Sequence, residues 1–491
     1  MEINDLTPAE RRVWDAFPSG ERVDFLEEPE ETGSGGADWG PERTVRAEVL
    51  TALLLGGPTA EGQVAGLNVR GARITGKLNL KYAVVEHPIR LRACWFERKP
   101  LLYGAKLRVF VANDSTLPGL TADTVSVEVA LKLSCCRITG PVRLAGARIA
   151  GGLFLRKAVI GIAGPAEEGQ EPALRFNHAD VGTDVIAMDL TVHGQMRING
   201  ATVGGQINLN NARLLAPGAI ALHAETLTVG TDVRARGLEA RGMFNLTGAK
   251  IPGQLYLADA RLIQPGGVAL RASSCAIGEV WLSGRECVQG TMNLRRSQFD
   301  LLHAPPETWP QRIRIEGLTY RTLSPHVPAD QRLPALEREE SGYLPYAYEQ
   351  LAAAYRTVGD EAGARTVQLA KLRRHRRTLP RHARVWGLLQ DATVGYGFRP
   401  LRAAGWLLTL LLTGTAAYWL RPPRELKAGE APEFNPVFYT LDLMVPIISF
   451  GQEAAYAPDG WYQWLSYLLI VTGWVLATTT AAGVSRSLQR Q

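Results

Sequence analysis

Apolar positions recur along the middle of the chain in one phrase, apolar-x-small-x-apolar-x-apolar, which opens at Ile74 (ITGKLNL), Ile138 (ITGPVRL), Ile149 (IAGGLFL), Val192 (VHGQMRI), Val203 (VGGQINL), Ala240 (ARGMFNL), Ile251 (IPGQLYL) and Val288 (VQGTMNL). Neighbouring starts lie 11 residues apart, as at Ile138 and Ile149, and the pattern returns after 48 residues, from Val192 to Ala240 to Val288. VGTDV at Val181 and Val229 repeats at the same 48-residue interval. Alternation with period two predicts short strands with one buried face, and the small residue predicts a tight corner or a close approach of the next layer. GARI (71–74, 146–149), NARL (211–214), GAKI (248–251) and DARL (259–262) mark equivalent corners.

Three or four apolar residues per strand cannot form a core alone, but coils stacked at ~4.8 Å bury one another. The expected fold is therefore mainly β, a β-solenoid (parallel β-helix) of roughly 22–26-residue coils over 61–325. The longer coils hold the excursions LLAPGAI (214–220) and LIQPGGV (262–268), and GIAGPAEEGQEPAL (161–174) reads as an enlarged version. A doubly wound α/β fold would need helices of about 10–15 residues between strands, and this stretch has none.

Helical periodicity brackets the repeats. Residues 1–60 predict an N-terminal helical cap: LTPAERRVWDAF (6–17) has Thr7 as N-cap, Pro8 at the first helical position and Glu10 completing a capping box, and ERTVRAEVLTALLLG (42–56) follows an acidic, glycine-rich linker, Glu27–Gly40. Within 330–380, PYAYEQLAAAYRTVGDEAGARTVQLAKLRRHRR (345–377) predicts a helical hairpin similar to one tetratricopeptide unit. Tyr348, Leu351, Ala352 and Tyr355 line one packed face, and Ala364, Val367 and Ala370 the other.

Residues 381–491 predict a C-terminal two-span transmembrane module. Ala403–Leu420 and Trp461–Val484 are uncharged, and the second opens on Trp461, Tyr462, Trp464 and Tyr467 like an interfacial aromatic belt. Lys371, Arg373, Arg374, Arg376, Arg377, Arg381 and Arg384 precede the first span, while loop 421–460 has three basic residues against six acids. The positive-inside rule then places both termini and the solenoid in the cytoplasm, with the basic run against anionic headgroups of a bacterial plasma membrane. Phe434–Phe450, broken by Pro436, Asp442 and Pro446, is a candidate re-entrant or interfacial segment. TVGYG (393–397) spells a potassium-channel filter, but it lies before the first span where a filter cannot work, and reads as a turn.

Composition adds limits. An apolar fraction of 46% with 21% charge suits a chain with a core. The N-terminus shows no export signal. Five cysteines without a CxxC pair (Cys94, Cys135, Cys136, Cys275, Cys287) read as small buried residues in a reducing compartment. Net charge is +6, largely local to the basic run, so no nucleic-acid partner is expected. The expected partners are the bilayer and a cytoplasmic protein, with a second copy of the chain as a further candidate.

TPAERRVWDAFPSG, WGPERTVRAEVLTALLLG, the GARITG coils, YEQLAAAYRTVGDEAGAR, YGFRPLRAAGWLL and LDLMVPIISFGQEAAY together resemble an actinobacterial family commonly labelled membrane-associated oxidoreductase. The resemblance implies redox chemistry at a membrane. The residues offer no cofactor site: GSGGAD (33–38) fails the dinucleotide fingerprint at its last position, His178, His193, His223 and His303 are scattered singly, and no spaced metal ligands occur. No cofactor and no catalytic residue are therefore assigned. The leading expectation is a non-enzymatic, membrane-anchored scaffold or sensor, with an oxidoreductase and a channel-like pore module as alternatives.

Overall fold

The computed structural model describes residues 5–27, 32–164, 171–380, 384, 391, 400–427, 431–445 and 449–488. Two compact units divide the chain, Met1–Gly359 and Asp360–Gln491.

The first unit is a parallel β-solenoid of about 11 turns. Each coil has four faces, and each 11-residue half supplies two short strands. One coil runs Arg148–Ile149, Gly152–Phe154, Val159–Ile160 and Leu174–Arg175, then returns to the first face at Asp180–Val181. Strand partners are parallel and in register: Ser126 lies opposite Arg148, Arg148 opposite Asp180, Asp180 opposite Thr202, Thr202 opposite Thr228, and Thr228 opposite Lys250. From Asp180 to Gln298 the coils alternate between 22 and 26 residues, as the 48-residue repeat predicts, and the last, Gln298 to Thr319, takes 21. The step from Arg148 to Asp180 takes 32, because the enlarged excursion at 161–174 falls within it. The proline-glycine excursions are absorbed into the long strands Arg213–His223 and Arg261–Arg271, with register shifts against their neighbours.

Inward residues form continuous apolar columns. Leu131, Leu153, Val185, Ile207, Val233, Leu255, Val280 and Leu302 stack one above another on the second face, all essentially inaccessible. Each such burial contributes about 1.5–3 kcal/mol, against a single coil that could bury nothing alone.

Two kinds of corner turn the chain. One is a tight turn with positive φ at its third residue: Ala147 N–H donates to Leu144 O at 3.1 Å around Gly146, and Cys136 N–H to Leu133 O at 3.4 Å around Cys135. Non-glycine residues, even β-branched Thr124 (φ 56°) and Thr226 (φ 54°), occupy this position, at a conformational cost of about 1–3 kcal/mol each. The cost is offset because the same amides extend the ladder, Thr124 N–H to Ala145 O and Thr226 N–H to Thr247 O, both at 2.8 Å. The other corner is sharp and backbone-crowded. A Cβ on Gly204 would sit 2.2 Å from Gly182 O, and one on Gly230 1.9 Å from Gly204 O. These glycines directly follow Val203 and Val229, one residue before the small position of the sequence phrase, where a Cβ on Gly205 would sit 2.2 Å from Asp184 Oδ1.

The N-terminal cap is interleaved with the solenoid. Helix α1 (Pro8–Ala16) forms as expected, and α2 (Ala47–Gly56) occupies only the later part of the expected 42–56, because Thr44–Arg46 is a strand that pairs with Arg73–Thr75; with Val23–Asp24 paired to Val69–Arg70, this segment adds an incomplete coil. The expected linker is in part packed structure: Gly33–Asp38 is a 3₁₀ helix whose Gly36 lies against Trp95. The capping box is present, with reciprocal bonds between Thr7 and Glu10. Glu10 does more than cap, since its buried carboxylate also takes Arg46 Nε and Nη2, both at 2.7 Å, and Arg46 N–H at 3.0 Å. At the other end, α3 (Ala329–Leu336) and α4 (Pro345–Thr357) cover the last strand, Thr319–Ser324; Tyr348, Leu351, Ala352 and Tyr355 of α4 are buried.

The second unit opens with α5 (Glu361–Thr378), capped by Asp360 and burying Ala364 and Val367. It continues with α6 (Pro400–Leu420), α7 (Pro436–Met444), α8 (Gln452–Ala455) and α9 (Trp461–Leu488). The expected two-span module is not found: among the described residues no helix is long and apolar enough to cross a membrane. Lack of charge differs from apolarity. Thr409 and Thr413 of α6 hydrogen-bond back to Gly405 O and Thr409 O, and Tyr418 of α6 and Leu469 of α9 enter an internal core with Tyr439, Leu443, Met444 and Tyr456. Gly414 and Gly473 let this core close against Thr440 and the backbone of Met444.

Two predictions follow from the corner and cap geometry. Gly230→Ala should lower stability by about 3 kcal/mol in chemical denaturation, whereas Gly266→Ala, with positive φ but open space around it, should cost about 1 kcal/mol. For Glu10, burial alone would raise the carboxyl pKa, but the Arg46 side chain and the amides of Thr7 and Arg46 outweigh it and hold the pKa below the ordinary value. Its stabilisation is thus present above the unfolded carboxyl pKa and lost as pH falls through the folded one. Glu10→Gln should cost about 2 kcal/mol at pH 7, discounted for the half-exposed Arg46, and the gap from wild type should shrink on acidification below pH ~4.5 in thermal melts.

Candidate functional site: the arginine-bearing face of the solenoid

On the fourth face the inward column is Val142, Leu174, Met196, Leu222, Phe244, Leu270, Met292 and Ile313. The outward residue next along each strand then forms its own column: Arg143, Arg175, Arg197, His223, Asn245, Arg271, Asn293 and Arg314. Parallel in-register stacking puts neighbouring members ~4.8 Å apart, so the stems cover one another and the guanidinium groups line up along the axis.

Compensation along this column is uneven. Buried Asp123 accepts Arg143 Nε at 2.9 Å, Arg175 Nη2 at 3.3 Å and Ala145 N–H at 3.0 Å. His223 Nε2 lies 3.2 Å from Glu225, whose other contact is Asn245 Nδ2 at 3.1 Å. Burial tends to raise the Glu225 pKa, but His223 and Asn245 bring it below the ordinary carboxylate range. Arg314 is tied to Glu340. Arg197 and Arg271 have no carboxylate within 4.0 Å among the described residues. The Nε atoms of Arg175, Arg197, Arg271 and Arg295, with Asn177 Oδ1 and His223 Nδ1, are buried without a hydrogen-bond partner, and all six lie on this face or its adjoining turn. The four Nε donors without acceptors carry a cost that an anionic ligand would relieve, whereas Asn177 Oδ1 is an acceptor and calls for a donor.

The neighbouring third face shows the opposite arrangement. Glu239, 7% exposed, is held between Arg241 (2.7 Å), Arg261 (3.2 Å) and Arg213 (3.5 Å). Here burial is again outweighed, first by the Arg241 hydrogen bond, and the carboxyl pKa is lowered. That cluster is internally satisfied and holds adjacent coils together.

The residues singled out from sequence lie elsewhere. Lys371, Arg373, Arg374, Arg376 and Arg377 sit on α5, but Arg373 Nη2 pairs with Asp391 at 2.9 Å and Arg376 Nη1 at 3.3 Å. The basic run is therefore partly neutralised within its own unit. Arg384 donates from Nε to Leu379 O at 2.6 Å. Pro436 is the first residue of α7, and Asp442 is a structural clamp whose buried carboxylate accepts the amides of Phe450 (2.6 Å), Gln452 (2.8 Å) and Glu453 (3.1 Å). Arg381, Pro446 and TVGYG lie outside the described residues.

Of the cysteines, Cys94, Cys136, Cys275 and Cys287 fill small interior positions, and burial pushes the thiols of Cys94, Cys136 and Cys287 up to about 12. Cys135 departs from the expected burial and is exposed at a corner. His303 stacks on Trp281 at 4.3 Å. Among the described residues no group of three or more His, Cys, Asp or Glu side chains is placed to hold a metal ion. No protein-family model, curated protein or solved structure matches the chain.

Proposed function

We propose that the protein is a non-enzymatic scaffold that holds an acidic segment of a partner protein along the fourth face of its solenoid. The observation that carries this reading is the column from Arg143 to Arg271, in which, among the described residues, Arg197 and Arg271 have no carboxylate within 4.0 Å, Glu225 acting on Arg271 only from farther off, on a face with several unpartnered buried polar atoms. A rigid column of cations costs little ordering entropy when it meets an extended anion, since the coil has already fixed the side chains. Guanidinium groups also pair with carboxylates through two parallel bonds, which gives the contact direction as well as charge.

The helical unit contributes a second element of the proposal, contact with an anionic lipid surface. Trp419 (73% exposed), Trp461 (80%) and Trp464 (69%) present large amphipathic rings to solvent, the residue type that settles at headgroup depth. The basic residues of α5, Lys371, Arg374 and Arg377 among them, would add attraction to anionic lipids.

The partner proposal is tested by fluorescence anisotropy with a labelled oligoglutamate peptide of about 20 residues. Arg197→Gln should weaken binding about fivefold, and Arg175→Gln, Arg197→Gln and Arg271→Gln together about a hundredfold, with steep salt dependence. Unchanged binding in the triple variant would sink the proposal, and equal affinity for duplex DNA would reduce it to general polyanion attraction. For lipid contact, sedimentation with phosphatidylglycerol-containing vesicles should exceed that with phosphatidylcholine alone. Trp461→Ser with Trp464→Ser should cut the bound fraction about fivefold; equal sedimentation with both lipids and both proteins would count against it.

A further inference from the structure

Beneath the C-terminal cap of the solenoid, the last coil and helices α3 and α4 enclose a cavity of about 30 Å³. Its walls are largely apolar, with Trp309, Ile315, Leu318, Leu336 and Leu351 prominent, and its polar side chains include Arg332, Gln350 and the phenol of Tyr320. A cavity of this size has room for an occupant on the scale of one or two water molecules.

Arg332 is only 5% exposed. Nη1 donates to Ala304 O at 2.9 Å, Nη2 donates to Pro325 O, and the phenols of Tyr355 and Tyr320 lie nearby. These partners are neutral. Among the described residues no carboxylate comes within ion-pair distance of this guanidinium, and Glu307 acts on it only through space. A guanidinium has five N–H donors and cannot shed its charge at any ordinary pH. Burial without a counter-ion therefore leaves a cost that hydrogen bonds to carbonyl groups do not remove. Gln350 donates one amide hydrogen to Tyr320 O at 2.6 Å, which leaves its second for another acceptor at the cavity.

The geometry points to a binding site for one small monovalent anion, of which chloride is the probe, between Arg332 and Gln350 under the cap. Size selects a small ion, because a carboxylate with a long apolar tail exceeds the space. The apolar walls select a weakly hydrated halide over fluoride or a multivalent oxyanion, which would lose more hydration than one guanidinium returns. The ion would act as a structural counter-charge that fastens α3 and α4 to the last coil. The site is separate from the fourth face and does not depend on what that face binds.

The test uses the full chain and thermal melts in sodium chloride against sodium gluconate at matched ionic strength, gluconate being too large for the cavity. Chloride and bromide should raise Tm saturably, by about 3 °C at 100 mM, and fluoride should not. Arg332→Gln should abolish the chloride response, and Arg197→Gln on the fourth face should retain it. Ala347→Leu, which fills the cavity and leaves the guanidinium in place, covers the case in which Arg332→Gln does not fold, and should also lose the response. Identical wild-type Tm in chloride and gluconate, or a response that survives Ala347→Leu, would overturn the assignment.

Discussion

The ladder of parallel backbone hydrogen bonds between successive coils is the constraint from which the rest of the first unit follows. A strand of two or three residues has no independent stability, so each must find its N–H and C=O partners in the coils above and below. The ladder does not stop at the corners. Where the chain turns through positive φ, the strained residue still donates to the next coil, as Tyr82 does to Tyr103 O and Cys135 to Arg156 O. Continuity of this kind fixes the side-chain columns inside and outside, and with them both the core and the charged faces.

Much of this was legible in the chain because the ladder forces a period. The 11-residue spacing is half a coil, the 48-residue spacing is one 22-residue coil plus one of 26, and directly after Val181, Val203 and Val229 come Gly182, Gly204 and Gly230, which stack backbone on backbone at the sharp corner. The capping box at Thr7 and Glu10 was equally readable, being local. The second task of Glu10 was not: Arg46 lies 36 residues away, and nothing in the spacing joins them.

The candidate site was hidden for the same reason. Arg143, Arg175, Arg197 and Arg271 form a column only after coils of unequal length are aligned, and one of the excursions separates the first two. A dense local run such as 371–377 attracts attention in a sequence, yet two of its arginines are spent on Asp391. At the C-terminus, uncharged segments predict spans, whereas among the described residues no helix is long and apolar enough for one, and Tyr418 and Leu469 of those segments enter an internal helical core. Charge is visible residue by residue, while its compensation is a property of the folded arrangement.

The 32-residue coil shows how length is separated from form. Ten residues beyond the usual coil enter between the third and fourth faces, yet Val142 still meets Leu174 and Arg143 still meets Arg175. The edge between those faces behaves as a port: chain can be let out there without moving the wall on either side. A grafted epitope, reporter or binding loop placed at this edge, at 161–173 or at the tips near Gly218 and Gly266, would be carried outward at a known height on the column while the remaining faces kept their registry.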